Sequence, residues 1–297
     1  MRFRAAATGP GLTCSGDTAI LHPHRDAGAF TLKIATWNIN SVRLRLGNVE
    51  RFLAESQADV LCLQETKTVD DTFPAAALKT AGYTHQMIHG QKSYNGVAIV
   101  SRLPFVATGD ASGSRGWCGK EDCRHIWARL GDGTEVHNFY IPAGGDIPDP
   151  AQNDKFAHKL QFLDEVTSWL AEHTDRRKTI LVGDLNIAPL EHDVWSHKAL
   201  LDVVSHTPIE VDKLNRMQAA GGFVDAVRHF TPATEKLYSW WSYRAKDWDA
   251  ADKGRRLDHI WVTPDLMGGV AKAEIHRPVR GWEQPSDHAP ITVTLGS

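Results

Sequence analysis

The sequence predicts an α/β fold: mixed sheets packed on each other, with helices outside, in a single domain. Three observations carry this. Short apolar runs bounded by Gly, Pro, Asn and Asp recur along the chain and read as strands. The runs come in groups, and only some are separated by a helical pattern, which favours mixed over purely parallel sheets. Hydrophobic residues make up 42% of 297 residues, enough for a large core, with no internal repeat and no linker of distinct composition.

Residues 1–31 are rich in Ala, Gly, Thr and Pro, carry Arg2, Arg4 and Arg25, and contain no continuous apolar stretch. Asp17 and Asp26 speak against a targeting peptide. This segment reads as a disordered leader, leaving residues 32–297 as the domain. Leu32–Trp37 is the first strand. Leu46–Glu55 sets Leu46, Val49, Phe52 and Leu53 on one helical face. Val60–Gln64 is apolar on both faces, as a buried strand is. Gly96–Ser101 and Arg124–Leu130 are further strands. Glu135–Ile141 alternates and stops at Pro142-Ala143-Gly144-Gly145, a loop by its breakers. Asp154–His173 is the clearest helix, with Phe156, Leu160, Leu163, Val166 and Leu170 in one stripe. Thr179–Val182, Leu257–Val262, Val270–Ile275 and Ile291–Leu295 complete the strands.

Bulk properties narrow the function. A net charge of −3 excludes a wholly basic nucleic-acid packaging protein but allows a local basic patch. No apolar run approaches the ~20 residues needed to span a bilayer. The four cysteines, Cys14, Cys62, Cys118 and Cys123, suit a reducing compartment better than a disulfide scaffold. Cys118 and Cys123 near His125 are too loosely spaced for a zinc set. Most of the ten tryptophans read as core.

Four polar clusters sit at strand ends. Lys33–Trp37 runs into Asn38-Ile39-Asn40, Val60–Leu63 into Gln64-Glu65-Thr66-Lys67, and Thr179–Val182 into Gly183-Asp184-Leu185-Asn186; Asp287-His288 opens the last strand. Strands that deliver these groups to one rim build an active site. Glu65 is a hard oxygen donor suited to Mg²⁺, and Asp287 offers a second carboxylate. Asp184, on a tight turn at Gly183 and two residues from Asn186, can deprotonate or orient a water. His288 offers a cation to developing negative charge, and Asp258 is its candidate partner. Singly, Asp184 reads as a turn aspartate and Asn38 and Asn40 as caps. His259 reads as structural, and His192 with His197 as a solvated loop. Metal, base and cation together fit metal-assisted phosphoester hydrolysis.

Trp37-Asn38-Ile39-Asn40, Gln64-Glu65-Thr66-Lys67, Asn138-Phe139-Tyr140-Ile141-Pro142, Gly183-Asp184-Leu185-Asn186-Ile187 and Ser286-Asp287-His288-Ala289-Pro290 resemble, in order and spacing, the motif set of the exonuclease III family of abasic-site endonucleases. The resemblance runs from about Leu32 to Leu295. It implies a four-layered α/β sandwich of the deoxyribonuclease I-like superfamily, dependence on Mg²⁺ or Mn²⁺, incision 5′ to abasic sites and trimming of 3′ ends. It implies metal contacts from Glu65, Asn40, Asp184, Asn186 and Asp287. Asp184 would activate water, Asn186 position the phosphate, Tyr140 contact the phosphate or leaving group, and His288, paired with Asp258, stabilise the transition state. Asn38 would support the phosphate side, and Trp240, in Tyr238-Ser239-Trp240-Trp241, would line the pocket for a flipped-out abasic sugar.

Three positions depart from the pattern. Asn40 stands where some relatives carry Asp. Pro142-Ala143-Gly144 lacks a polar side chain before the glycine. Arg255 stands where relatives often place an apolar or aromatic pocket wall, so a more polar pocket is expected. Arg43, Arg45, Lys67, Lys253, Arg255 and Arg256 give the motif loops their own cations for phosphate contact. The expected partner is double-stranded DNA with abasic sites or blocked 3′ ends, met by a monomer in the cytoplasm, at the nucleoid, with no membrane association. The alternatives are another superfamily phosphodiesterase or phosphatase acting on RNA or a small phosphoester, and a DNA-binding relative without catalysis.

Overall fold

A computed structural model describes residues 31–110 and 116–296. The leader lies outside the described residues apart from Thr31, which opens the first strand.

Two six-stranded sheets carry the fold. The first contains β1 (Thr31–Asn38), β2 (Val60–Gln64), β3 (His85–Gln91), β4 (Tyr94–Ser101), β13 (Val270–Ile275) and β14 (Ile291–Gly296), in the order β13-β14-β1-β2-β4-β3. The second contains β5 (Phe105–Gly109), β6 (His125–Leu130), β7 (Glu135–Tyr140), β8 (Thr179–Asp184), β9 (Val224–Asp225) and β12 (Asp258–Val262), in the order β5-β6-β7-β8-β12-β9. Two short strands, β10 (Trp240–Trp241) and β11 (Gly254–Arg255), form a ribbon beside them.

Strand alternation makes the layers. Ile34, Val60, Cys62, Ile180, Val182, Ile260 and Val262 point between the sheets and form one shared core. The intervening residues point outward. Ala35, Trp37, Leu61 and Leu63 meet Val49, Phe52 and Leu53 of helix α1 (Leu46–Ser56) and Leu78 of α2 (Ala75–Thr80). Phe139, Leu181 and Trp261 meet Phe162, Leu163 and Val166 of α3 (Asp154–Glu172), together with Leu214 and Met217 of the next long helix, Pro208–Gly221. Helix, sheet, sheet, helix is the four-layered sandwich expected from the motifs. No helix among the described residues is long and apolar enough to cross a membrane.

Topology explains the common rim. β1 and β2 run parallel, as do β7 and β8, so the carboxyl ends of each pair share one edge of a sheet. β14 is antiparallel to β1 and β12 to β8, so their amino ends open at those same edges. Asp258 thereby pairs directly with Asp184 across the ladder.

The structure differs from the sequence reading at several elements. Gly183 lies inside β8, which extends to Asp184, and is not a turn. Its φ of 143° and a Cβ position 1.8 Å from the Phe139 carbonyl oxygen admit only glycine there. The helix at Pro208–Gly221 was not expected. Its signals are local: Thr207 and Glu210 form a capping box, Pro208 opens the helix, and Gly222 ends it in a left-handed conformation. β3 and β5 were also not expected, since both are sheet edges with half-exposed residues and bulged pairing, so neither alternates cleanly.

Candidate active site

One hydrogen-bonded network joins the motif residues at the rim. Asn38, at the end of β1, donates through Nδ2 to Glu65 Oε1 at 3.0 Å and to Asp184 Oδ2 at 2.8 Å. A single buried amide thus links the end of β1 to the ends of β2 and β8. Tyr140, at the end of β7, donates its hydroxyl to the same Glu65 oxygen at 2.8 Å. Asn186 folds back on Asp184, its backbone N donating to Oδ1 at 2.9 Å and its Nδ2 to Oδ2 at 3.1 Å.

His288 lies on the other side of Asp184. Its Nδ1 donates to Asp258 Oδ2 at 2.8 Å, and its Nε2 stands 3.8 Å from Asp184 Oδ2. Ser239 completes this arm by donating Oγ to Asp258 Oδ2 at 2.6 Å. The Ser286-Asp287-His288 segment is fastened to β1: Ser286 Oγ donates to the Asn38 carbonyl and Trp37 Nε1 to the His288 carbonyl.

Electrostatics separates the roles. Burial pushes the Asp184 carboxyl up to about 7, Asp258 and Glu65 add to this, and His288 opposes it. Burial alone would lower His288, but the facing carboxylates of Asp258 and Asp184 outweigh it and raise the imidazole to about 10. Burial likewise acts to raise Glu65, yet the Lys67 charge and the hydrogen bonds from Asn38, Lys67 and Tyr140 hold it below the usual carboxylate range. The rim therefore holds an ionised Glu65, a cationic His288 and a carboxyl near neutrality between them, the separation of protonation states that acid–base chemistry uses.

Lys67 Nζ lies 2.7 Å from Glu65 Oε2 and donates to Asn40 Oδ1 at 2.6 Å. These oxygens converge on a cationic nitrogen, so the pair already forms a cradle of hard donors for positive charge. Asn40 Nδ2 donates to Asp287 Oδ1 at 3.1 Å, which sets a second carboxylate beside the cradle. Trp240 Nε1 holds the other Asp287 oxygen at 2.9 Å. This donor set fits a hard divalent cation. A second acidic group, Asp184, Asp258 and His288, brings its ligand atoms within 4.8 Å of one another. There the imidazolium itself supplies the cation between the carboxylates.

Backbone strain concentrates here. Asn40, Glu65, Lys67 and Asn186 all adopt left-handed conformations, with φ between 47° and 54°. Asn tolerates this region; Glu and Lys do so at a cost that surrounding structure must offset, a pattern typical of functional sites.

Arg255 stacks over Trp240 at 5.4 Å from the ring centroid, and its Nη1 donates to the Val204 carbonyl and to Ser205 Oγ. The wall beside Trp240 is polar, in keeping with the sequence. Trp240 is half-buried and Trp241 fully buried. Arg43 is exposed, and among the described residues no hydrogen bond or ion pair joins it to the network. His259 is structural, bonded through Nε2 to the Ile187 carbonyl. His197 contacts His206 at 2.8 Å and not His192.

Sequence reasoning missed several supporting residues. Ser239 orders Asp258, yet it lies next to the tryptophan that drew attention. Arg124 packs its guanidinium 4.9 Å from the Tyr140 ring centroid. Lys159, fully buried on α3, bonds Glu210 at 2.5 Å and donates to the Asn186 carbonyl at 2.8 Å. Only the Thr207–Glu210 capping pattern was available to flag that pair.

Comparisons with known proteins agree on one family and one fold. A family model described as endonuclease/exonuclease/phosphatase matches residues 35–288. An exodeoxyribonuclease III from Haemophilus influenzae is 33% identical over 88% of this chain and 98% of its own length. An abasic-site endonuclease from Archaeoglobus fulgidus superposes with a TM-score of 0.81 at 34% identity, covering 89% of this chain and 99% of that one. A Neisseria 3′ phosphatase bound to a product DNA hairpin gives a TM-score of 0.81 at 33% identity, covering 88% and 98%.

Proposed function

Because the chain belongs to the endonuclease/exonuclease/phosphatase family, in its exonuclease III branch, we propose that it is a metal-dependent DNA repair nuclease. It incises 5′ to abasic sites and trims 3′ ends, removing nucleotides and blocking phosphate or phosphodiester groups. The observation that carries this reading is the continuous chain Glu65–Asn38–Asp184–His288–Asp258, which sets a general base against a cation at the rim.

Glu65 and Asn40, with Asp287 beside them, would hold Mg²⁺ or Mn²⁺, with Asp184 and Asn186 on the near side. The ion supplies charge neutralisation of the scissile phosphate. Asp184, held by Asn38 and Asn186, takes a proton from water. The water oxygen bonds to phosphorus, the bond to the 3′ oxygen breaks, and that oxygen leaves as a hydroxyl after gaining a proton. His288, kept cationic and aimed by Asp258, faces the negative charge that develops. Tyr140, its hydroxyl bonded to Glu65, meets the phosphate or the leaving oxygen, and Asn186 positions the phosphate. Lys67, Arg43 and the polar wall at Arg255 serve the DNA backbone. A pure binding relative has no use for this set of buried, strained and charge-separated groups. The protein works as a monomer in the cytoplasm.

The test is cleavage of matched duplexes carrying one abasic analogue, a 3′-phosphate or neither, with a single-stranded RNA and a soluble phosphate monoester as comparisons. Incision 5′ to the lesion and release of the 3′-phosphate support the reading. Turnover of the RNA or the monoester alone would replace it.

A further inference from the structure

Lys159, on the buried face of α3, is a lysine with no exposed surface. Its ammonium meets three oxygens: Glu210 Oε1 at 2.5 Å, the Asn186 carbonyl at 2.8 Å and the Ala143 carbonyl at 3.3 Å. Ala143 and Asn186 lie in the loops that follow β7 and β8, the strands that end on Tyr140 and Asp184. We propose that Lys159 is a positioning residue for the hydrolysis. It holds the Asn186 backbone so that the Asn186 side chain stays locked on Asp184, and so aims the general base. The inference rests on the nuclease reading above and adds a residue to it.

Asn186 is the joint through which Lys159 acts. It adopts a left-handed conformation, with φ of 54°. Its backbone N and its Nδ2 donate to the two oxygens of Asp184, and Nδ2 also donates to the Ile141 carbonyl at 2.9 Å. Its carbonyl is held by Lys159. One residue in a sparsely populated backbone conformation is thus gripped at its carbonyl and at its side chain. Releasing the carbonyl lets the backbone relax toward the right-handed or extended region, which redirects the amide away from Asp184.

The rest of the contact set points the same way. Glu210 accepts from the backbone N of Ser205 and of Thr207 and from Thr207 Oγ1. The Ser205 carbonyl in turn accepts from Ala188 N at 2.8 Å, so the ion pair grips the Asn186 loop at a second point. Gly144, with φ of 90°, lies against the lysine stem, and a Cβ there would stand 2.9 Å from Lys159 Cδ. A buried ion pair gains little over apolar side chains of the same volume, so stability alone does not account for this one. An ammonium has three donors, and here they serve two loop carbonyls and a carboxylate, which no apolar side chain can do.

Single-turnover incision of a duplex with one abasic analogue, at saturating protein in Mg²⁺, tests this in two backgrounds. Lys159→Met combined with Glu210→Gln removes the ammonium without leaving a lone buried charge. It should slow incision roughly 10–100-fold, as misplacement of a reacting group does, with duplex affinity changed by less than about threefold. The same two changes made in Asn186→Ala should slow incision by less than about threefold further, because residues that act through one another are not additive. Lys159→Gln, whose amide still faces Glu210 but is one bond too short to reach Asn186 as well, is the second variant and should show the same pattern. Circular dichroism and melting temperature establish that each variant is folded at the assay temperature. Unchanged incision by a folded variant, a loss confined to affinity, or an equal loss with and without Asn186 would overturn the inference and leave the nuclease reading standing. No incision by the unaltered protein would overturn both.

Discussion

His288 Nδ1 lies 2.8 Å from Asp258 Oδ2, and Ser239 Oγ donates to that same oxygen at 2.6 Å. A buried imidazole with a buried, oriented carboxylate is a preset cation, held up to about pH 10. This folded value exceeds the ordinary 6.5, so the pair's contribution to stability is complete below pH 6.5 and is lost as pH rises through about 10.

Asp258→Ala removes the carboxylate and lowers the imidazole value, so its activity should fall at a lower pH than that of the unaltered protein. His288→Ala should cost more, roughly 10²–10³-fold in kcat, as loss of a transition-state donor does. Profiles of kcat against pH check both. An unchanged alkaline limb in Asp258→Ala would separate the two residues functionally.

Trp240→Ala should weaken abasic-site incision more than removal of a 3′-phosphate, which needs no flipped sugar. Trp240→Phe keeps a ring but loses the N–H to Asp287, so it separates packing from the hydrogen bond. Steady-state rates on both substrates, with melting temperatures, distinguish the two. Equal losses that track stability would make Trp240 a core residue.

The Lys159–Glu210 pair is fully buried and ties α3 to the loops that carry Asn186 and hold Arg255. Lys159→Met leaves a buried charge uncompensated and should cost about 3–5 kcal/mol, with much recovered on adding Glu210→Gln. Urea denaturation measures it. A loss below about 1 kcal/mol is the size expected of an exposed pair and would contradict a tie of this kind.

Removing residues 1–30 should leave melting temperature and cleavage rate unchanged, because the first strand begins at Thr31. A fall of several degrees on thermal unfolding would show that the segment supports the fold.

Much of this was legible in the sequence, for physical reasons. Val60–Gln64 is apolar on both faces because a helix covers one side and the second sheet the other, and its strand bounds match the sequence reading. The stripe of α3 points inward as its spacing required. The rim residues were legible because parallel strands deliver their carboxyl ends to one edge. What sequence could not supply was contact between distant segments. Nothing local links Asn38 to both Glu65 and Asp184, or Lys159 to Glu210. The turn assigned to Gly183 failed because a glycine in a strand, required for close approach to Phe139, looks the same as a glycine in a turn.

The proposed hydrolysis depends on a divalent cation held at Glu65. The most direct measurement is cleavage of a duplex with a single abasic analogue by the unaltered protein and by Glu65→Ala, each in Mg²⁺ and in EDTA. Incision 5′ to the lesion is expected in Mg²⁺, with its loss in EDTA and recovery on restoring the ion. Glu65→Ala should be slower by orders of magnitude with an unchanged fold by circular dichroism. Incision that persists in EDTA, or a Glu65→Ala protein that cuts at the original rate, would contradict it.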